Sequence, residues 1–323
     1  MKKISLTETA EFLRSHDNFL ILSHRRPDGD TVGSCAALCR ALRKLGKQAA
    51  LYANPQFTPK FAPYYDGLTA AAVPENATVI SVDVASESLF PFGMENARPV
   101  LAIDHHGTNS GFAELLCVDP DAAACGELIW ALLPLLGAEP DKDIAEAVYV
   151  AVSTDTGCFR YSNTTANTLT VAAACKQSGA DIFPINRVMF EVKRKARVQL
   201  EAYLVDTMEF YAGGKVSVNA MPKEVLNKLG ITEDDIDDIS GFGRNVEGVE
   251  IAVMLREVEN GIGKVSVRTS PNFDAAKICA RFGGGGHAAA AGGSVPGGRP
   301  GTPASASEFA CVSAPLGSVP GWK

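Results

Sequence analysis

Short apolar runs alternate with stretches of helical periodicity in the first half of the chain, a pattern typical of a parallel α/β sheet. Four buried strands are predicted at Asn18–Ser23, Gln48–Tyr52, Ala77–Val82 and Pro99–Ile103. A helix over Val32–Leu45 would connect the first two strands, with Gly46 as its C-terminal stop. Four more helices are predicted at 123–136, 141–152, 165–178 and 195–207. We therefore expect an α/β domain with a mostly parallel sheet.

The pattern changes after about residue 190, where the charged segment Glu191–Arg197 indicates a connector. Two β-hairpins are predicted beyond it, at Met208–Ala220 with a turn at 212–214 and at Val249–Thr269 with a turn at 260–263. A helix near Asp274–Arg281 and a glycine run follow. The second half is thus expected to be a smaller α+β domain.

These patterns give the domain boundaries. We predict one domain at 1–190, a linker at 191–200, a second domain at 201–293 and a tail at 294–323. Gly, Pro, Ser and Ala make up nineteen of the thirty tail residues, and this composition buries too little apolar surface to offset its ordering entropy. The tail is therefore predicted to be disordered.

Composition narrows the classes of function. With 46% hydrophobic and 21% charged residues, the chain has an ordinary globular balance, and its 323 residues favour two domains. A net charge of -7 argues against binding along duplex nucleic acid. The chain contains neither a signal peptide pattern nor an apolar run long enough to span a membrane. The eight cysteines are scattered without paired zinc spacing. We expect a cytoplasmic protein.

Histidines and aspartates lie where the predicted strands end. The segment Ser23–Asp30 follows the first strand, Asp83 follows the third and Asp104–His106 follows the fourth, while Asp155 lies at a helix end. The carboxyl ends of parallel strands border the crevice in which α/β proteins bind ligands. Imidazole and carboxylate groups together suit Mn²⁺ or a similar ion. We also expect Gly29 to let the neighbouring Asp28 and Asp30 both turn inward.

A single aspartate at a strand end is more often a cap, and a single histidine is more often structural. Three of the five histidines, however, lie in these segments, and a fourth, His287, lies in the glycine run. This concentration favours a metal site over coincidence.

These motifs resemble the DHH phosphoesterase superfamily, which takes its name from the Asp-His-His found here at Asp104–His106. Residues 24–30 are similar to its His-x-x-Pro-Asp-Gly-Asp motif, and Asp83 and Asp155 match its single-aspartate motifs. Gly283–His287 is similar to the Gly-Gly-Gly-His motif of its DHHA1 domain. The resemblance covers about residues 5–293 and is strongest to the bacterial nanoRNase and pAp phosphatase branch. The sequence after 293 departs from the family pattern.

The resemblance implies two divalent ions, expected to be Mn²⁺. It assigns His24, Asp28 and Asp83 to one ion. It assigns Asp30, Asp83, His105 and Asp155 to the other, with Asp83 as the bridge. His106 would contact the scissile phosphate or the leaving oxygen, and Asp104 would orient the ligand histidines. Hydroxide activated by the two ions would then attack phosphorus, so no side chain is expected to act as a covalent nucleophile.

The second domain is expected to bind substrate. Backbone N–H groups of Gly284, Gly285 and Gly286, followed by His287, could form a cradle for phosphate, although a glycine run by itself is more often a flexible turn. Arg268 is the best partner for this cradle, because a guanidinium binds phosphate with two hydrogen bonds. Arg160, near Asp155, is a weaker candidate.

The resemblance therefore implies hydrolysis of short oligoribonucleotides and of 3′-phosphoadenosine 5′-phosphate (pAp). Cleavage of linear or cyclic dinucleotides is a close alternative. A nucleotide-binding module with a structural metal and no turnover is an alternative from another class. The expected partners are short RNA or small nucleotides, with neither long duplex nor membrane, and a homodimer is left open.

Overall fold

The chain forms two compact units, Met1–Val192 and Lys193–Lys323. The computed structural model describes residues 1–236, 239–258 and 262–296. The first unit thus ends two residues beyond the boundary expected at 190. Part of the expected linker is helical, and its Leu200 is buried in the second unit.

The first unit is built on a six-stranded parallel sheet. Its strands are β1 (Lys2–Lys3), β2 (Phe19–Leu22), β3 (Ala49–Leu51), β4 (Thr78–Val82), β5 (Leu101–Asp104) and β6 (Leu115–Val118). They lie in the order β1-β6-β5-β4-β2-β3, and every pair is parallel. The four predicted strands are confirmed. The edge strand β1 and its neighbour β6 were not predicted, although the short apolar run of β6 lies between Gly111 and Pro120, which are typical strand boundaries.

Helices cover this sheet and supply most of the core of the first unit. They are α1 (Leu6–Ser15), α2 (Gly29–Lys44), α3 (Ala62–Tyr65), α4 (Cys125–Leu136), α5 (Lys142–Asp155), α6 (Ala166–Gln177) and α7 (Ile182–Asn186). Helix α2 begins at Gly29 rather than at the predicted Val32. The side chain of Asp28 accepts a hydrogen bond from the backbone N–H of Thr31 and is the N-cap. The helix therefore begins three residues before the predicted start.

Helices α2 and α5 pack backbone against backbone. A Cβ atom on Gly33 of α2 would lie 2.3 Å from the carbonyl oxygen of Ala147 and 2.9 Å from the amide nitrogen of Ala151, both on α5. Only glycine allows this approach. Since α2 begins beside Asp30 and α5 ends at Asp155, we expect the approach to influence the distance between these two carboxylates.

The second unit is built on a mixed sheet. Its strands are β7 (Glu209–Tyr211), β8 (Val216–Met221), β9 (Ile251–Glu257), β10 (Ile262–Thr269), β11 (Gly285–Gly286) and β12 (Ala290–Pro296), and its helices are α8 (Lys195–Asp206), α9 (Lys223–Leu229) and α10 (Ala275–Ala280). The order is β11-β12-β10-β9-β8-β7, with only β8 and β9 parallel. Both predicted hairpins are confirmed by the antiparallel pairs β7–β8 and β9–β10. Residues 260 and 261 of the second turn lie outside the described residues.

Apolar side chains alternate between the two faces of this second sheet. Val253 and Leu255 of β9 pack in the cluster that includes Ile278 of α10, whereas Met254 between them packs with Leu200 of α8. This period of two is the one expected for a strand buried on both faces.

The boundary predicted for the start of the tail, at residue 294, is too early. Residues 294–296 continue strand β12, where Ser294 pairs with Lys264 of β10, so the hydrogen-bonding partner of β10 extends past residue 293. The rest of the predicted tail, 297–323, lies outside the described residues. No helix within the described ranges is long and apolar enough to cross a bilayer.

Candidate metal centre

The strands that carry the candidate ligands are neighbours in the sheet. Strands β5, β4 and β2 lie side by side, and the strand order reverses between β4 and β2, so the crevice expected in this fold opens at their carboxyl ends. His24 follows β2, Asp83 follows β4 and His105 follows β5. The structure brings all six predicted ligands of the first unit into this region, where they form overlapping groups of candidate metal-binding atoms.

One group joins His24, Asp28 and Asp83. The Nε2 atom of His24 lies 3.4 Å from Oδ2 of Asp28 and 3.7 Å from Oδ2 of Asp83. Two atoms that each lie about 2.1 Å from one cation are about 3.0–3.5 Å apart, so these separations are close to those of a shared ion. The Nδ1–H of His24 donates to the carbonyl oxygen of Arg25 at 2.9 Å, which leaves Nε2 as the ring nitrogen that faces the carboxylates.

The second group joins Asp30, His105 and Asp155. The Nε2 atom of His105 lies 3.6 Å from Oδ2 of Asp30 and 3.7 Å from Oδ2 of Asp155. The Nδ1–H of this imidazole donates to the carbonyl oxygen of Ala122 at 3.2 Å. His105 therefore turns Nε2 toward the carboxylates, as His24 does in the first group.

Asp83 lies between the two groups. Its Oδ2 faces Nε2 of His24, and its Oδ1 is 3.5 Å from Nε2 of His105. The side chain is only 2% exposed, and Oδ1 has no hydrogen-bond partner among the described residues. Asp83 also has a φ of 60°, a left-handed conformation that costs a non-glycine residue energy. A buried carboxylate oxygen without a donor is costly unless a cation neutralises it, so the residues present fit a divalent ion here.

The pKa values of these carboxyl groups reflect their crowding. Burial, followed by the charges of Asp30 and Asp28, raises the pKa of Asp83 well above its ordinary value. The same causes raise the pKa of Asp155 to about 8. Burial opposes the charge of His24, but Asp28 outweighs it, and the pKa of His24 rises to about 9. The carboxylates would repel one another strongly if all were ionised, so without a metal ion the site retains protons, and a bound cation would replace them.

Asp30 is fixed by the start of helix α4. Its Oδ2 accepts from the backbone N–H of Cys125 at 2.6 Å, and its Oδ1 accepts from the N–H of Gly126 at 3.0 Å. The hydroxyl of Ser34 donates to Oδ1 as well, at 2.9 Å. The N-terminus of a helix favours a carboxylate in this position. Asp30 is therefore held with its charge directed toward the second group.

Asp104 has a narrower role than the expected one. Its Oδ1 accepts from Nδ1–H of His106 at 2.8 Å, and its Oδ2 accepts from the side-chain amide of Asn109 at 2.6 Å. Asp104 thus fixes the imidazole of His106, but it reaches His105 only through the backbone N–H. The rings of the ligand histidines are oriented by carbonyl oxygens instead, because each Nδ1 already has such a partner.

Gly29 is glycine for a reason other than the expected one. The φ angle of Gly29 is not positive, so its backbone does not need the conformational freedom of glycine. A Cβ atom there would lie 2.3 Å from the hydroxyl oxygen of Thr154. Thr154 precedes Asp155, so close packing of the two segments, rather than backbone freedom, requires the glycine.

Several site residues were missed by sequence reasoning. They are polar or backbone groups that orient the ligands: the segment Ala122–Gly126, Asn109, Asn163 and Asn54, whose amide donates to the carbonyl oxygen of His24 at 3.0 Å. None of them carries a charge or a distinctive motif by itself. Only contacts between distant segments reveal them.

The predicted phosphate-binding residues of the second unit come together in part. Arg268 pairs with Ala290 across β10 and β12, and the backbone N–H of His287 donates to the carbonyl oxygen of Ala290 at 2.8 Å. Arg268 and His287 therefore lie on adjoining backbone segments. Their side chains are half-buried and exposed, respectively.

Only part of the glycine run has free space beside its backbone. A Cβ atom on Gly284 would lie 2.4 Å from the carbonyl oxygen of Gly292, and one on Gly286 would lie 2.6 Å from that of Ala290, so both are required by close strand packing. Gly285 has open space at this position. In the first unit, Arg160 is exposed and its Nε–H donates to the carbonyl oxygen of Gly157, two residues from Asp155.

Comparison with known proteins identifies the family of this chain. The model of the DHH family, N-terminal domain, matches residues 18–152, and the DHHA1 domain model matches residues 213–309. The second match thus extends beyond the expected domain end at 293. The chain belongs to the DHH family, and the resemblance inferred from its motifs is confirmed.

Two relatives are similar to this chain over most of their length. The bifunctional oligoribonuclease and PAP phosphatase NrnA of Thermus thermophilus is 36% identical over 294 residues, which cover 89% of this chain and 87% of the relative. The protein of the same name from Bacillus subtilis is 27% identical over 301 residues, covering 90% and 93%. An exopolyphosphatase-related protein from Bacteroides fragilis has a similar structure, with a TM-score of 0.82 and 23% identity over 94% of this chain and 93% of that one. This last likeness concerns the fold alone.

Proposed function

We propose that this protein is a dinuclear metal phosphoesterase that hydrolyses short oligoribonucleotides and pAp. The observation that carries the proposal is the buried Asp83: its Oδ1 has no hydrogen-bond partner among the described residues and faces His105, while its Oδ2 faces His24. The names of the two relatives support the choice of substrates, because both are called oligoribonuclease and PAP phosphatase.

The ligand set favours Mn²⁺. Each group offers one imidazole Nε2 and carboxylate oxygens, which suit hard-to-borderline divalent ions. His24, Asp28 and Asp83 would hold one ion, and Asp30, His105 and Asp155 would hold the other, with Asp83 shared between them. When bound, two such ions polarise the phosphate and lower the pKa of water enough for it to act as a nucleophile near neutral pH.

His106 is the candidate proton donor to the leaving oxygen. Its Nδ1–H is engaged by Asp104, so Nε2 is the nitrogen that can face the substrate. The hydrogen bond from Asp104 is the largest cause of the raised pKa of His106, and a raised pKa keeps the imidazole protonated closer to neutral pH. Asp104 in turn is held by Asn109, so the imidazole is oriented before substrate binds.

The second unit would bind the phosphate of the substrate that is not cleaved. Arg268 and His287 lie on adjoining segments, and the space above Gly285 lets an anion approach the backbone there. A guanidinium, an imidazole and bare backbone together make a suitable anion site.

A substrate panel tests the proposal. Purified protein with Mn²⁺ would be assayed with pAp, a linear dinucleotide, a cyclic dinucleotide and a long RNA of about 24 nucleotides. We expect the fastest phosphate or nucleotide release from pAp and the linear dinucleotide, because the net charge of -7 opposes binding of a long polyanion.

The other outcomes are equally informative. Faster digestion of the long RNA would contradict the short-substrate proposal. A preference for the cyclic dinucleotide would shift the assignment to a cyclic dinucleotide phosphodiesterase. Binding of pAp and Mn²⁺ without any product would favour a nucleotide-binding module with a structural metal.

A further inference from the structure

One short backbone segment orients two of the three candidate ligands in the group Asp30, His105 and Asp155. The segment is Ala122–Gly126, which leads into helix α4. Its carbonyl oxygen at Ala122 accepts from Nδ1–H of His105 at 3.2 Å, and its N–H groups at Cys125 and Gly126 donate to the carboxylate of Asp30. The ligands on β5 and on α2 are therefore both aligned by this segment.

Asn163 connects the third ligand to the same segment. Its side-chain amide donates to the carbonyl oxygen of Ala123 at 3.2 Å and to the carbonyl oxygen of Asp155 at 3.2 Å. An amide nitrogen carries two hydrogens, so it can make both bonds at once. One side chain thus ties the end of helix α5 to the segment that orients the other two ligands.

The turn between Asp155 and Asn163 needs such a tie. Gly157, Cys158 and Phe159 have φ values of 56°, 58° and 63°, three successive residues in the left-handed region. Two of them are not glycine, and such a conformation persists only where surrounding contacts enforce it. The two hydrogen bonds of Asn163 close this turn at its far end.

We propose that Asn163 is a positioning residue. It sets the arrangement of Asp30, His105 and Asp155 around the ion that these three residues would hold. The inference rests on the proposed dinuclear function. It is specific to one ion, because the other group is oriented elsewhere: His24 bonds the carbonyl oxygen of Arg25, and Asp28 caps helix α2 through the N–H of Thr31.

The test is Mn²⁺ binding by calorimetry to Asn163→Ala and Asn163→Leu, starting from metal-free protein. The leucine variant keeps roughly the volume of the side chain and removes both donors. Asn167→Ala is the matched control, because Asn167 is also exposed and its amide bonds Glu127, which is not a candidate ligand. Losing a partner that orients ligands typically weakens metal affinity about 10–100-fold.

We expect one of two binding events to weaken by about 10–100-fold in both Asn163 variants, with the other event and the control unchanged. Turnover should then recover at higher Mn²⁺ concentration. Two unchanged events would overturn the inference, and so would an equal loss in both, which would mean that Asn163 supports the fold as a whole. If the wild-type protein binds fewer than two ions, the proposed function itself fails, and this outcome is distinct from the others.

Discussion

Gly33→Ala tests whether the contact between helices α2 and α5 sets the distance between the metal ligands. The added Cβ would lie 2.3 Å from the carbonyl oxygen of Ala147, about 1 Å closer than an ordinary contact. The obstacle is backbone, which cannot rotate away as a side chain can. The helices must therefore separate by about 1 Å, and Asp30, one turn before Gly33, should move relative to Asp155.

The size of the effect follows from two opposing contributions. Overpacking of this kind costs up to about 3 kcal/mol, while the better helix propensity of alanine returns about 1 kcal/mol. The net loss of about 2 kcal/mol should lower the Tm by roughly 4–8 °C for a domain of this size. Displacing a ligand by about 1 Å should lower kcat/KM by about 100-fold.

The assay compares kcat/KM on pAp and thermal unfolding of wild type and Gly33→Ala at saturating Mn²⁺. Gly241→Ala is the control, because nothing lies within 4 Å of the added methyl group and the φ of Gly241 is not positive. A Gly33→Ala protein with the Tm and kcat/KM of wild type would refute the reasoning. It would mean that the added methyl group is accommodated without straining the helices or moving the ligands.

The ligand-bearing strands could be predicted from the sequence because local signals mark them. Each is a short apolar run, and each is followed at once by a histidine or an aspartate, as in His24 and Asp83. Parallel order then places these residues at one edge without further information. Strand β6 is also followed at once by an aspartate, Asp119, but its apolar run is only four residues long, and β12 lies in a stretch rich in glycine; neither was predicted.

The roles of the orienting groups could not be predicted, because they depend on contacts between distant segments. Asp28 shows that one residue can have two roles: it was predicted as a metal ligand, and it is also the N-cap of helix α2. By contrast, the carbonyl oxygen of Ala122 orients His105, which lies 17 residues earlier in the sequence. Asn163 donates to the carbonyl oxygen of Ala123, which lies 40 residues earlier. Backbone groups and asparagines acquire such roles only in the folded chain.

The candidate ligands and the second unit give three further predictions. Asp83→Ala should abolish turnover and reduce Mn²⁺ uptake, because both groups lose their shared carboxylate; retained turnover would contradict the dinuclear assignment. Arg268→Ala should raise KM by about 10–100-fold with little change in kcat, since it removes a charged hydrogen bond to phosphate, and Lys264→Ala on the same strand is the control. An unchanged KM would exclude Arg268 from substrate binding. Finally, the metal-free protein should lose stability between pH 6.5 and pH 8. Burial and neighbouring carboxylates raise the pKa of Asp155 from 3.8 to about 8, so the folded state keeps a proton that the unfolded chain has already released, and folding becomes more costly as pH rises toward 8. For His24, burial is outweighed by nearby carboxylates and the pKa rises from 6.5 to about 9, so its stabilising charge is complete below pH 6.5 and declines above it. Both effects have the same sign, and bound Mn²⁺ should suppress them because it replaces the protons. Urea unfolding at the two pH values, with chelator and with Mn²⁺, measures the difference, and a metal-free protein that is more stable at pH 8 would contradict the assignment of these groups to a cation site.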